Sequence, residues 1–229
     1  MKKFMALLLV AGMTLSLTAC GGSTDTAKTD QADGKDTFTV GFDQDFPPFG
    51  YVGDDGEFTG FDIEMATECA ARMGKKIELQ PIDWDAKDME LEAGTIDCIW
   101  NGFTMNGRED QYTWTDPYMD NSQVVVVKKD SGINTLADLA GKVVEVQKES
   151  AAETALNDEE HADLMASFAQ LLSVGEYNTA FMDLESGAVD AVAIDIGVAQ
   201  FQIEGKEDQY QILDCLLYTS PSPRDGLLS

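Results

Sequence analysis

Between Thr37 and Asp195, short runs of apolar and β-branched residues alternate with segments of helical spacing, and no other feature limits the fold as strongly. Strands separated by helices join one sheet through crossovers, which makes them parallel, so the pattern points to an α/β architecture. Thr37–Phe42 reads as a strand. Phe61–Met73 carries Ile63, Ala66, Ala70 and Met73 at helical spacing and stops at Gly74, and Lys76–Leu79 follows as a strand. Met89–Ala93 reads as a short helix before the strand Ile96–Trp100. The run Gln123-Val124-Val125-Val126-Val127 is extended and marks a crossing from one lobe to a second. Beyond it, Thr135–Leu139 is a short helix closed by Gly141, and Lys142–Gln147 is a strand. Ser150–Leu156 and Asn178–Glu185 are helices, and Ala188–Ile194 is a strand that ends at Asp195.

The densest chemistry lies in Ile96-Asp97-Cys98-Ile99-Trp100-Asn101-Gly102-Phe103-Thr104-Met105-Asn106-Gly107-Arg108, continued by Tyr112-Thr113-Trp114-Thr115-Asp116-Pro117-Tyr118. A buried strand stops at Asn101-Gly102, and a hydroxyl and a guanidinium follow at short spacing. Such a set can hold a carboxylate: Arg108 offers a fork of donors matched to two oxygens, Thr104 adds a hydroxyl, and Gly102 lets a ligand approach the backbone. The plainer alternative is a strand, a turn and a solvated arginine.

Three segments carry a resemblance that decides between these: Val40 to Phe49 (Val-Gly-Phe-Asp-Gln-Asp-Phe-Pro-Pro-Phe), Gly60 to Ala66 (Gly-Phe-Asp-Ile-Glu-Met-Ala), and the stretch Gly102 to Tyr118. Between Phe38 and Asp214 the chain resembles the extracellular solute-binding proteins of polar amino-acid ABC transporters, a family that includes glutamine-, histidine- and lysine/arginine/ornithine-binding proteins. The resemblance implies the type II periplasmic-binding-protein fold: two lobes, each a doubly wound, mostly parallel α/β sheet, here 37–122 and 123–214. The step from Thr104 to Arg108 is one residue shorter than in the family, so the loop that carries the arginine is shortened. The resemblance also implies a final return of the chain to lobe one, for which this sequence has no segment.

In the second lobe two positions sit outside the carboxyl ends of strands, where such sheets bind ligands. Ser150 opens a helix as Ser150-Ala151-Ala152-Glu153, a capping-box pattern whose hydroxyl can serve the helix itself, while the amides of Ser150 and Ala151 can serve a carboxylate. Asp195 follows Ala191-Val192-Ala193-Ile194, either as a turn residue or, as the resemblance implies, as the partner of a ligand ammonium. The resemblance further implies that Phe46 and Trp84 flank the ligand side chain, although core packing would suit both. It implies that Asp43 accepts a hydrogen bond from the ligand. Two acceptors beside a stacked side chain favour glutamine, arginine or lysine, with cystine also within the polar range of the family.

The N-terminus sets the compartment. Lys2 and Lys3 precede an apolar core, Phe4 to Leu17, and Leu17-Thr18-Ala19-Cys20 is a small-residue cleavage site ending in cysteine, so 1–19 reads as a lipoprotein signal and Cys20 as the lipidated residue. Residues 20–36 hold no large apolar side chain after Cys20 and read as a flexible tether from the outer face of the membrane. From Cys215 the string through Ser229 breaks every earlier pattern and resembles the translation of a sequencing adapter, which makes 215–229 read as non-native read-through. A formal charge of −27 opposes nucleic-acid binding. Cys69 and Cys98 lie among apolar neighbours, as buried free thiols first and a disulfide second. His161 falls in the acidic run Asp158–Asp163, a wet helix face, and no Cys/His cluster suggests a metal; no cofactor is expected.

These features predict a monomeric, non-enzymatic binding protein. By hinged closure of two lobes it would capture one amino acid, with its charged ends between Arg108, Thr104 and the Ser150 amide on one side and Asp195 on the other, and deliver it to an ABC permease and its ATPase. Two other readings share the resemblance: a secreted cyclohexadienyl dehydratase-like enzyme, and the ligand-sensing domain of a receptor.

Overall fold

Val124, Val125, Val126 and Val127 are each at most 2% exposed, so this run is covered on both faces. A strand so placed belongs to the middle of a sheet with helices on either side. The computed structural model of the chain describes residues 36–213 and 216–218. The expectations for 1–19, for Cys20 and its tether, and for all of 215–229 except 216–218 fall outside those residues.

In chain order, strand β1 (Thr37–Phe42) leads to a ribbon of three short strands, β2 (Asp45–Phe46), β3 (Gly50–Val52) and β4 (Phe58–Thr59), then helix α1 (Phe61–Arg72) and strand β5 (Lys76–Pro81). A single 3₁₀ turn at Trp84–Ala86 precedes α2 (Lys87–Ala93) and the two-residue strand β6 (Cys98–Ile99). Then come β7 (Ser122–Lys128), β8 (Val143–Gln147), α3 (Ala151–Leu156), α4 (Ala162–Ser167), β9 (Gln170–Val174) and α5 (Tyr177–Ser186). The described chain closes with β10 (Ala191–Asp195), α6 (Ile196–Ile203), β11 (Tyr210–Ile212) and β12 (Leu217–Tyr218).

The first lobe is built on the sheet β5-β1-β6, parallel throughout, with Val40 facing Leu79 on one side and Cys98 on the other. The second is built on a larger sheet ordered β11-β7-β10-β8-β9, with β12 also on β7. There β8 and β10 are parallel as expected and β9 joins β8 in parallel, but β7 runs antiparallel to β10, β11 and β12. The reason is the connection: β7 enters as an extended crossing, not through a helical crossover, so the rule that makes βαβ strands parallel does not bind it.

Alternation along the strands assigns the two faces of the large sheet. Val124, Val126, Val192 and Ile194 meet Tyr177, Ala180 and Leu184 of α5 and Val198, Ala199 and Ile203 of α6. Val125, Val127, Val144, Val146, Ala191 and Ala193 meet Ala152 and Leu156 of α3 and Leu139. The alanines of β10 let α3 sit close. Phe46 and Phe49, from the ribbon after β1, join the α5–α6 side of this core. Gly60, before α1, has φ 124°, and a Cβ there would lie 2.4 Å from the Phe49 carbonyl oxygen, so only glycine fits.

Several boundaries differ from expectation. The strand at 96–100 shrinks to Cys98–Ile99, and the ribbon, α4, β9, α6 and β11 are additions. Cys69 and Cys98 are both half-buried free thiols. Among the described residues no helix is long and apolar enough to cross a membrane.

One buried group works against this core. Glu145 on β8 is 2% exposed, lies in register with Val192 and Leu172, and leaves Oε2 without a hydrogen-bond partner. Burial first, and the Asp183 carboxylate second, raise its pKa. A carboxyl raised in the folded state stabilises fully below its unfolded pKa, and that contribution is lost as pH rises through the folded value. Glu145→Leu should therefore add about 1 kcal/mol to stability at pH 7. Urea titrations at pH 7 and pH 4 check this, with the gain shrinking at the lower pH.

Candidate functional site

Residues 100–121 run without regular structure, yet they are pinned. Trp100 N donates to the Gly41 carbonyl at 3.0 Å, Gly102 N to the Tyr118 hydroxyl at 3.1 Å, and Tyr118 in turn donates to Asp62 at 2.8 Å. Trp114 Nε1 donates to the Arg108 carbonyl at 3.0 Å. These bonds place the Arg108 side chain, 8% exposed, at the boundary between the two sheets. Its Nη1 donates to the Thr104 carbonyl at 3.2 Å, and its Nη2 donates to the Glu149 carbonyl at 3.1 Å and to Thr154 Oγ1 at 3.2 Å. The guanidinium also stands 5.3 Å over the Phe103 ring. Burial lowers its pKa, but a guanidinium stays charged.

Asp195, at the end of β10, is 5% exposed and faces Arg108 from the large sheet. Asn121 Nδ2 donates to its Oδ1, as does Gln123 Nε2 at 2.7 Å. Burial raises the Asp195 pKa, and the two amide donors and the charge of Arg108 oppose that rise. Asp43, at the end of β1, is fixed by Asn101, whose Oδ1 accepts from Asp43 N at 2.7 Å. Its Oδ1 accepts from Asp45 N at 2.8 Å and its Oδ2 from Gln147 Nε2 at 2.6 Å. Burial pushes the Asp43 pKa up to about 6, with the bonds from Asp45 and Gln147 pulling the other way.

Ser150 caps α3: its hydroxyl accepts from Glu153 N at 3.1 Å. The box closes one residue earlier than the pattern implied, because Glu153 Oε2 accepts from Glu149 N at 2.6 Å. The Ser150 amide is already engaged with the Gln147 carbonyl at 3.2 Å, a long bond that a better acceptor could take over. Trp84 is 7% exposed, packs edge-on to Phe103 with centroids 5.0 Å apart, and donates from Nε1 to the Glu149 carbonyl at 3.3 Å. Phe46 packs on Phe49 and Tyr177.

Eight of the nine positions singled out from the sequence, Phe46, Trp84, Gly102, Thr104, Arg108, Ser150, Ala151 and Asp195, line one cavity between the two sheets. Asp43 does not. It stands behind Gln147, which does. Asn101 and Phe103 complete the lining; both stand inside the quoted stretch, on either side of Gly102, but neither was singled out as a ligand contact. The cavity holds about 20 Å³ of space reachable by a water-sized sphere, enough for a single water, so its walls must part to admit anything larger. It joins a cation on one wall to a carboxylate on the other inside an aromatic frame. Such a site can bind a zwitterion with both ends paired. Among the described residues no group of three metal-ligating side chains gathers.

The pattern that describes the bacterial extracellular solute-binding proteins, family 3, matches residues 38–178. The arginine-binding extracellular protein ArtP of Bacillus subtilis is 37% identical over 148 residues, 64% of this chain and 56% of that protein. The L-cystine-binding protein TcyJ of Escherichia coli strain K12 is 31% identical over 194 residues, 83% of this chain and 69% of that one. Among solved structures, an ABC uptake transporter substrate-binding protein from Streptococcus pneumoniae with bound histidine superposes with a TM-score of 0.75 at 34% identity, covering 80% of this chain and 76% of that one. The chain thus spans little more than half the length of the arginine-binding relative.

Proposed function

We propose, for a chain that belongs to the bacterial extracellular solute-binding proteins of family 3, that it captures a polar amino acid outside the cytoplasm for an ABC importer. The observation that carries this is the pairing of buried Arg108 and Asp195 on opposite walls of one cavity. The ligand carboxylate takes the Arg108 N–H groups that Thr104, Glu149 and Thr154 leave free, together with the Ser150–Ala151 amides, and the α-ammonium takes Asp195. Both buried charges are then matched, which is the condition for burying them at all. Lobes 37–122 and 123–214 close over the ligand, and Cys20 tethers the protein to the outer membrane face. The protein acts as a monomeric carrier and not as an enzyme.

Charge narrows the ligand to basic amino acids, arginine first. Arg108 contributes one positive charge against the carboxylates of Asp43 and Asp195, so a zwitterion with a cationic side chain balances the site. Gln147 Nε2 holds the place on Asp43 that a guanidinium donor would take. The likeness to an arginine-binding relative supports the same choice. Micromolar affinity, about −8 kcal/mol, is expected. A thermal-shift screen of L-arginine, L-lysine, L-glutamine, L-histidine and L-cystine tests this: arginine in excess should raise the melting temperature most. No shift with any of the five contradicts the proposal.

Affinity should also depend on pH. Asp43 titrates at about 6 because burial penalises its charge, and a ligand cation beside it lowers that value. Binding then releases a proton near pH 6, and calorimetric titrations should show arginine affinity weakening up to tenfold per pH unit as pH falls from about 6 to 5. Asp43→Asn should flatten that slope.

A further inference from the structure

Glu149, just before α3, draws together residues from both lobes. Its φ is 58°, a left-handed backbone that an L-residue adopts at a cost. From there its carbonyl accepts from Arg108 Nη2 at 3.1 Å and from Trp84 Nε1 at 3.3 Å, and its carboxylate accepts from Lys87 Nζ at 2.7 Å. Beside it, Lys148 Nζ donates to Asp85 at 2.6 Å. Lys87 is 3% exposed, with its ammonium 5.2 Å from the centre of the Trp84 ring. Trp84, Asp85, Lys87 and Arg108 come from the small-sheet side, and Lys148 and Glu149 from the turn that ends β8. A second seam contact lies elsewhere: Phe49 packs on Gly197 of α6, where a Cβ would lie 2.7 Å from the ring Cζ.

We propose that Glu149 is the key of a latch that holds the two lobes together without any ligand. The contacts on it exist only while the lobes are closed, so each multiplies the closed-to-open ratio. The buried Lys87 ammonium makes its carboxylate decisive. Without that anion, the closed state holds an unmatched cation that opening would rehydrate. The left-handed backbone serves this purpose by turning the Glu149 carbonyl toward two donors at once. The latch goes beyond the amino-acid reading and rests on it in one respect alone. A ligand enclosed by the closed state gains in apparent affinity by the same factor as the closed population.

The test uses the full chain without ligand. It has three tryptophans, so the Trp84 indole N–H gives one of three signals in a proton–nitrogen correlation spectrum, assigned with Trp84→Phe. In the parent this proton should exchange slowly with water. Glu149→Gln should speed its exchange about tenfold or more and enlarge the radius of gyration in X-ray scattering, the factor expected for a lost charge-assisted bond. Adding Lys87→Met should restore most of the protection, because no buried cation is then left unmatched. Where Glu149→Gln folds poorly, Glu149→Gly removes the carboxylate and relieves the backbone. Gly197→Ala, which should wedge the lobes apart at Phe49, gives the open reference. An indole as protected in both Glu149 variants as in the parent, with an unchanged radius of gyration, overturns the latch. Since nothing is bound during the measurement, failure of the amino-acid reading would leave this result untouched.

Discussion

Arg108→Ala is expected to weaken binding of the preferred amino acid by about 3 kcal/mol or more, over a hundredfold. The side chain is buried and its fork is held by Thr104, Glu149 and Thr154, so removal leaves a ligand carboxylate in the cavity without its cation. Arg108→Lys should recover only part of the loss, since one ammonium cannot reach two oxygens and the Thr154 hydroxyl together. Isothermal titration of parent and variants reads both numbers. A loss within twofold for Arg108→Ala would move the carboxylate site elsewhere.

Asp195→Asn is expected to cost about 2 kcal/mol with an α-amino acid, the worth of one charge-assisted hydrogen bond. The variant keeps the shape that Asn121 and Gln123 pack against, so the effect isolates charge. Comparing each ligand with its analogue lacking the α-amino group makes the assignment: the analogue should be nearly indifferent. Equal losses for both would make Asp195 a strand-terminating residue and no more.

What could be read from the sequence follows from which interactions are local. The strand at Thr37–Phe42, the helix at Phe61–Arg72 and the strand at Lys76–Pro81 declare themselves through periodicity and a stop at Gly74. Helix α6 does not. Ile196-Gly197-Val198-Ala199 resumes the apolar character of β10 directly after Asp195, with no polar face to mark a helical period, and packing against β7 and β10 makes it helical. The ribbon after β1 was also hidden, because its strands are two or three residues long and are ordered by Phe46 and Phe49 reaching the core of the other lobe. The same division holds at the site. Gly102, Thr104 and Arg108 sit in one short stretch, so spacing could suggest a shared site that the family resemblance then favoured, and Ser150 announced its cap through Glu153. Gln147 and Glu149 gave no such sign, since their roles exist only when the end of β8 is brought against residues far away in sequence, as in the Gln147–Asp43 and Glu149–Lys87 bonds, separated by 104 and 62 residues.

In the proposed binding mode one amino acid is held by its two charged ends between the lobes. A crystal structure of the protein grown with L-arginine tests it most directly. The ligand carboxylate is expected within hydrogen-bond distance of the Arg108 guanidinium, the α-ammonium on Asp195, and the side chain running past Trp84 toward Asp43. Arginine bound with its ends reversed, or seated outside the cavity lined by Arg108 and Asp195, would contradict it.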